Sequence, residues 1–210
     1  MTTLIEDLHW RYATKKFDHS RKIPEAELHE LLETLRLSPS SFGLQPWKFI
    51  LVKDKKVREQ LQKEAWNQAQ VTEASEFIVF AVPTEFSEKD IKKYIHDTAA
   101  TRKIPVESLK GYQEIMEGFL KSKSKEWIID WSKKQAYLAL GMLLMACAVK
   151  RIDACPMEGF NPAGFDTILG LDKVGLTSVV ACPIGYRSKE DHHSSLSKVR
   201  FPKEEVIIER

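Results

Sequence analysis

The sequence predicts an α+β fold in which helix dominates, and three observations carry that expectation. Helical spacing covers most of the chain, three compact apolar runs have strand character, and one segment is apolar on every face. The last is the most informative. From Ala136 to Val149 (AYLALGMLLMACAV) there is no charged residue, so a helix here has no polar side and must be wrapped by other elements. Its fourteen residues rise roughly 21 Å, short of the roughly 30 Å of bilayer hydrocarbon. Asp130, Lys133 and Lys134 stand just upstream, so a long buried central helix is expected rather than a membrane span. Lys150 and Arg151 close it, where cations favour a helix C-terminus.

Thr3 followed by Glu6 is a capping-box pattern, and Leu4, Leu8 and Tyr12 share a helical face, so residues 3–12 are expected to open the chain as a helix. Pro24 at the first helical position, with Leu28, Leu31, Leu32 and Leu35 at helix spacing, predicts a second helix that stops near Ser38-Pro39. Residues 38–46 (SPSSFGLQP) are loop chemistry. Residues 47–52 (WKFILV) and 77–82 (FIVFAV) read as strands, the second apolar enough to be central, with a helix over about 55–66 between them. From Ser87 to Phe119 the chain turns charged and helical, with Ile91, Tyr94, Ile95, Leu109, Tyr112, Met116 and Phe119 as a modest apolar stripe; this reads as an excursion outside the sheet. A short helix from Asn161-Pro162 to about Leu169 precedes a third strand over 176–186, and a fourth is expected over Val206 to Ile208. No repeat, low-complexity tract or linker divides the chain, so residues 1–210 are expected to form one domain.

The totals exclude several functions. Thirty-two basic against 30 acidic residues give a net charge of +2, so there is no global nucleic-acid footprint and any cationic site must be local. Three cysteines, an odd number without a CxxC pair, in apolar surroundings, read as reduced buried thiols of a cytoplasmic protein. The N-terminus has neither a basic nor an apolar region of the kind that directs export. GxGxxG, Walker A and GxSxG are all absent, and none of the six histidines stands in HExxH or at zinc-finger spacing. That disfavours Rossmann, P-loop, hydrolase and metal chemistry.

What remains is a set of cations in loops at the two ends of the chain: Arg11 and Lys15 after the first helix, Lys198 and Arg200 near the end. Together they could hold an anion without a glycine cradle, because Arg forks onto phosphate and Lys supplies a point charge. Composition alone favours solvated basic patches, since most charged clusters are surface. Ser40, Ser41 and Gln45 are by default turn residues, and Asn67 and Gln70 an exposed helix end. After the apolar helix, Cys155-Pro156-Met157-Glu158-Gly159-Phe160 forms a stiff loop presenting backbone amides, with a glycine that permits close approach.

Taken in order, five segments resemble the FMN-dependent nitroreductase family, in particular its oxygen-insensitive NAD(P)H nitroreductase and dihydropteridine reductase branch. They are residues 11–18 (RYATKKFD), 38–41 (SPSS) with 45–47 (QPW), Asn67 with Gln70, 156–160 (PMEGF), and Lys198-Val199-Arg200. Each is weak alone; the ordered set covers nearly the whole chain. The resemblance implies a nitroreductase-like α+β fold, with a central, mostly antiparallel sheet flanked by helices. It also implies a homodimer built around the long central helix, with FMN sites at the interface and the final residues, Glu204 to Arg210, extending across the partner.

By the same resemblance, Arg11, Lys198 and Arg200 grip the FMN phosphate, with Tyr12 and Ala13 beside them, and Ala13 stands where many relatives carry a hydroxyl. Lys15 lies at the ribityl chain and the pyrimidine edge of the flavin, and Asn67 and Gln70 reach that edge. Pro39, Ser40 and Ser41 come from the partner subunit, and Phe42 lies on the substrate side. Pro156, Met157, Glu158 and Gly159 run along the ring, with a backbone N–H near N5. The implied activity is ping-pong transfer from NADH or NADPH through FMN to a small planar nitroaromatic, quinone or pteridine, with no catalytic side chain, metal, membrane or nucleic acid. The alternative is a flavin-binding or flavin-processing protein of the same fold without NAD(P)H turnover.

Overall fold

A computed structural model describes residues 3–210. The chain opens with α1 (Leu4–Trp10), α2 (Glu25–Arg36), β1 (Lys48–Leu51), α3 (Lys55–Glu64), α4 (Gln70–Glu73) and β2 (Glu76–Pro83). It then leaves the sheet for α5 (Glu88–Arg102) and α6 (Lys110–Lys121) and returns through α7 (Lys125–Val149). The remaining elements are β3 (Asp153–Ala154), α8 (Pro162–Leu169), β4 (Leu176–Gly185) and the single turn α9 (Lys203–Val206).

The four strands lie in the order β1-β2-β4-β3 and every pair is antiparallel. β2 is central because both its faces are apolar. Successive side chains of a strand alternate in direction. Ile78 and Phe80 therefore pack with α2 and α7 through Leu31, Leu35, Leu140 and Leu143, while Phe77 and Val79 pack with Leu61 of α3 and Phe165 of α8. Each fully buried phenylalanine contributes roughly 2–3 kcal/mol by area. A third cluster joins Ile91, Ile95, Met116 and Leu120 of the α5–α6 excursion to Trp131 on α7.

Local rules account for most boundaries. The Thr3–Glu6 capping box forms in both directions, with Glu6 N donating to Thr3 Oγ1 at 3.2 Å and Thr3 N to Glu6 Oε2 at 2.6 Å. Ser124 caps α7 by accepting from Trp127 N at 3.2 Å. Pro24 takes the N-cap of α2, one position earlier than its helical spacing predicts.

Three expectations are corrected. The opening helix ends at Trp10, so Tyr12 is not on its face, and Leu4 and Leu8 are exposed. The segment Val206 to Ile208 is not a strand: Lys203–Val206 forms a helical turn followed by extended chain, and the fourth strand is Asp153–Ala154. Pro202 presets the dihedral that starts such a turn. The helix through Ala136–Val149 is not wrapped on all sides within this chain. Leu138 (51% exposed), Met142 (43%) and Val149 form a bare stripe, since i, i+4 and i+11 share a helical face.

Candidate functional site

The segment after α1 is strapped to the sheet edge. Ala13 bridges Ala154 in parallel, and Thr14 N donates to Ala154 O at 3.5 Å. Arg187 braces it from below: its guanidinium lies 4.2 Å from the Trp10 ring centre and 4.5 Å from that of Tyr12, with Nε donating to buried Asp153 Oδ1 at 2.7 Å. Thr14 Oγ1 donates to the same carboxylate oxygen at 3.3 Å. The backbone of Arg11 to Lys15 is thereby fixed at the sheet edge.

The chain end returns to this segment. Lys198 Nζ donates to the carbonyl oxygen of Arg11. Arg11, Tyr12, Ala13, Lys198 and Arg200 line a cavity of about 380 Å³, with His9 and His193 on its wall. Among the described residues no carboxylate forms an ion pair with Arg11, Lys198 or Arg200. The Lys198 ammonium is pushed below its ordinary pKa by burial and then by repulsion from Arg11 and Arg200. Three cations are thus held together against repulsion at one cavity.

A second part of the site continues along β4 beyond β3. Cys155 N donates to Pro183 O at 3.1 Å, and Met157 and Ala181 exchange backbone hydrogen bonds of 2.8 and 3.0 Å. The Met157 side chain enters the core beside Phe77 and Phe165, whereas Glu158 is exposed. Two contacts pin the loop from outside. Gln68 Nε2 donates to Gly159 O at 2.8 Å, and the Tyr137 hydroxyl on α7 donates to Glu158 Oε1. Lys15 links the two parts, its Nζ 3.9 Å from Cys155 Sγ. Burial raises the pKa of the Cys155 thiol against the lowering effect of Lys15.

Asn67 stands exposed at the end of the α3 region in a left-handed conformation (φ 57°), directly after Trp66 in the same region (φ 53°). Gln70 is buried in α4 rather than part of an exposed end, and it helps lower the pKa of the Cys155 thiol against burial. Arg11, Lys15, Gln70, Lys198 and the 156–159 loop therefore belong to one connected ledge.

Pro39, Ser40 and Ser41 lie elsewhere in the chain. Ser41 N donates to Gln135 Oε1 on α7 at 2.9 Å, and Ser40 Oγ accepts from Gln45 N at 2.9 Å. Gln135 and Tyr137 leave the helix about 200° apart, so this turn and the 156–159 loop occupy opposite faces of α7. Phe42, at φ 56°, caps the turn; its carbonyl accepts from Tyr112 at 3.0 Å and its ring meets Phe119 edge-on at 5.3 Å. The α5–α6 excursion thus covers the turn.

Sequence reasoning missed Asp191, Arg187, Gln68, Gln135, Trp66 and Tyr137. None belongs to a recognisable spacing. Asp191 sits beside two histidines in a polar loop, where its burial (2% exposed) has no local signal.

Among the described residues, no helix is long and apolar enough to cross a membrane, and no group of three His, Cys, Asp or Glu is placed to hold a metal ion. The fold and ledge define an α+β protein in which three cations line a cavity near the 156–159 loop. A sequence model of the Nitroreductase family matches residues 8–186. A Staphylococcus epidermidis protein provisionally named NAD(P)H nitroreductase is 34% identical, over 98% of this chain and 96% of its own. A Staphylococcus aureus protein of the same provisional name is 36% identical, over 98% and 94%. The chain belongs to the Nitroreductase family, a family of oxidoreductases. Solved structures share the fold. A Bacillus subtilis protein provisionally described as a nitroreductase superposes with a TM-score of 0.87 at 21% identity, over 98% of both chains. One from Exiguobacterium sibiricum, provisionally described likewise and solved with FMN, gives 0.84 at 22%, over 100% of this chain and 98% of its own.

Proposed function

We propose that residues 1–210 act as one FMN-dependent NAD(P)H oxidoreductase domain, passing reducing equivalents by a ping-pong cycle to a small planar acceptor: a nitroaromatic, a quinone or a pteridine. The carrying observation is the cavity lined by Arg11, Lys198 and Arg200, whose cations lack carboxylate partners among the described residues and so suit the dianionic phosphate of FMN. The homologues' names and the FMN complex of a structural neighbour agree with this reading.

When bound, the flavin supplies the two-electron chemistry that no side chain here provides. The chain's residues bind and orient it. Arg11, Lys198 and Arg200 hold the phosphate. Lys15 is tethered toward Cys155, where its charge stabilises negative charge that builds on the pyrimidine edge. Asn67 and Gln70 supply amides to that edge, and Pro156 to Gly159 supply a rigid wall with backbone donors. Phe42, held by Tyr112 and Phe119, bounds the acceptor side.

The reading includes a homodimer. The turn at Pro39 to Ser41 and the 156–159 loop lie on opposite faces of α7, so a site that needs both draws the turn from a second copy. The bare stripe of Leu138, Met142 and Val149, the exposed Leu4 and Ile5 of α1, and Phe201, Ile207 and Ile208 at the chain end supply apolar surface for that contact. Three free buried cysteines suit the reducing cytoplasm.

Anaerobic titration of the purified protein with NADH and then NADPH, followed at the flavin absorbance, tests the cofactor and donor. Bleaching is expected, with parallel double-reciprocal lines when a quinone is the acceptor. Flavin that neither nicotinamide bleaches would point instead to a flavin carrier.

A further inference from the structure

Asp191 is nearly fully buried, yet it stands beside the cavity lined by Arg11, Lys198 and Arg200 without pairing with any of those three cations. Its acceptor capacity is used otherwise. Oδ2 accepts from Lys15 N at 2.8 Å, Lys16 N at 3.2 Å and the Tyr12 hydroxyl at 2.9 Å. Oδ1 accepts from His193 N at 3.1 Å and faces His193 Nδ1 at 3.0 Å. Its backbone closes the loop, with Asp191 N donating to Ser188 O at 3.1 Å and Ser194 Oγ donating to Asp191 O at 2.8 Å.

Each carboxylate oxygen serves a different stretch of chain. One oxygen holds the segment that carries Arg11 and Lys15; the other holds the turn that leads into Lys198 and Arg200. These stretches lie at opposite ends of the sequence and meet at a single ionised group. An ionised carboxylate only accepts, with about four lone-pair directions, so it can gather the four donors Tyr12 O–H, Lys15 N, Lys16 N and His193 N from two segments and keep them in register.

We infer that Asp191 is a positioning residue of the phosphate site, setting the separation between Arg11 on one segment and Lys198 and Arg200 on the other. The inference rests on the flavin reading above and names how that reading's anion site is assembled. Asn at this position keeps the shape but turns one end of the group into a donor, which faces either Lys15 N and Lys16 N or His193 N. One segment then loses its anchor. Gln70 and the 156–159 loop share no hydrogen bond with Asp191 and keep their geometry, whereas Lys15, at the pyrimidine edge, is held by it only through its backbone N–H.

That separation gives the test. Dissociation constants for FMN and for riboflavin, which lacks the phosphate, are measured by fluorescence on the apoprotein of wild type, Asp191→Asn and Tyr12→Phe. Loss of one or two charge-assisted hydrogen bonds predicts FMN affinity reduced roughly tenfold to a hundredfold in Asp191→Asn, and roughly threefold to tenfold in Tyr12→Phe. Riboflavin affinity is expected to fall less than FMN affinity in each variant, within about threefold, since of the contacts the two ligands share only that of Lys15 depends on Asp191. Equal losses for both ligands, or none for FMN, would overturn the inference. Tyr12→Phe keeps the carboxylate and carries the test should Asp191→Asn fail to fold. A wild type that binds FMN no tighter than riboflavin would instead remove the phosphate site itself, and the role of Asp191 with it.

Discussion

Trp66 occupies the space beside Gly159 that a β-carbon would need: one built there lies 2.6 Å from Trp66 Cζ3 and 3.3 Å from Gln68 Nε2. The glycine is thus required by a neighbouring indole within the chain, and its φ is an ordinary negative value. Trp66 is 73% exposed, so its indole can swing outward, but Gln68 Nε2 is held by the Gly159 carbonyl and stays in the way.

The first prediction follows. Gly159→Val forces Trp66 and the Gln68 hydrogen bond aside, at about 1–3 kcal/mol of overpacking. Weakened FMN binding and slower flavin reduction are expected together, read by fluorescence titration and stopped-flow absorbance. Unchanged values for both would show that the loop tolerates the shift.

Glu158 carries the second. Its carboxylate accepts from the Tyr137 hydroxyl, whose pKa is raised by burial and then by this bond, so the pair braces the loop against α7. The backbone donors of the loop survive a change of side chain, and Gln retains an acceptor oxygen. Glu158→Gln should keep the FMN reduction rate within about tenfold. A loss of a thousandfold with FMN still bound would make the carboxylate a catalytic group.

These two residues also show what the sequence could disclose. The PMEGF segment marks itself through proline and glycine, whose backbone chemistry is local, and it lies beside β4, with Met157 paired to Ala181. The partner of that glycine is Trp66, about ninety positions upstream, and nothing in the spacing of either segment announces the contact. β2 was legible because a continuous apolar run is a property of one strand. β3, two residues long, was not, because it exists only through pairing with β4. Val206 to Ile208 has strand composition but finds no strand beside it, and composition alone cannot supply one. The same limit applies to α7: its all-round apolarity predicts burial without saying whether the covering surface belongs to this chain or to another.

The third prediction concerns the phosphate cations. Among the described residues Arg200 makes no ion pair, and it is close enough to Lys198 to lower that ammonium's pKa. Arg200→Ala should weaken FMN by about 1.5–3 kcal/mol, roughly tenfold to a hundredfold, with release hastened by salt or added phosphate. Unchanged FMN affinity in Arg200→Ala and Arg11→Ala alike would return these residues to a solvated patch.

The fourth is a pH dependence. Burial opposes ionisation of Asp191, but hydrogen bonds from Lys15 N, Lys16 N, Tyr12 and His193 N outweigh it and hold the carboxyl at about 2. A folded-state pKa below the ordinary carboxylate value of about 3.9 means stability that is complete above that value and lost as pH falls toward 2. Wild type should therefore lose unfolding midpoint between about pH 4 and 2 more steeply than Asp191→Asn, which has no proton to take up there. Parallel curves for the two in chemical denaturation would show that Asp191 does not titrate in this range.

The last prediction tests the covering of α7. Leu138, Met142 and Val149 lie on one face of a helix whose other faces are packed against α2 and the sheet. If a second copy covers this stripe, a charge placed in its middle must be desolvated without a partner. Met142→Glu should then weaken the dimer by on the order of 3 kcal/mol, more than a hundredfold in its dissociation constant, as read by sedimentation across micromolar concentrations. The consequence extends to the site. Ser40 and Ser41 are held on the Gln135 side of α7, away from the Glu158 loop, so a subunit alone keeps its Arg11, Lys198 and Arg200 cluster but lacks the turn that would complete the flavin pocket. FMN affinity should fall in step with dissociation, and raising protein concentration should restore both. A wild type that sediments as a monomer at micromolar concentration with FMN retained would refute the shared site. A Met142→Glu monomer that binds FMN as tightly as wild type would show that one chain suffices.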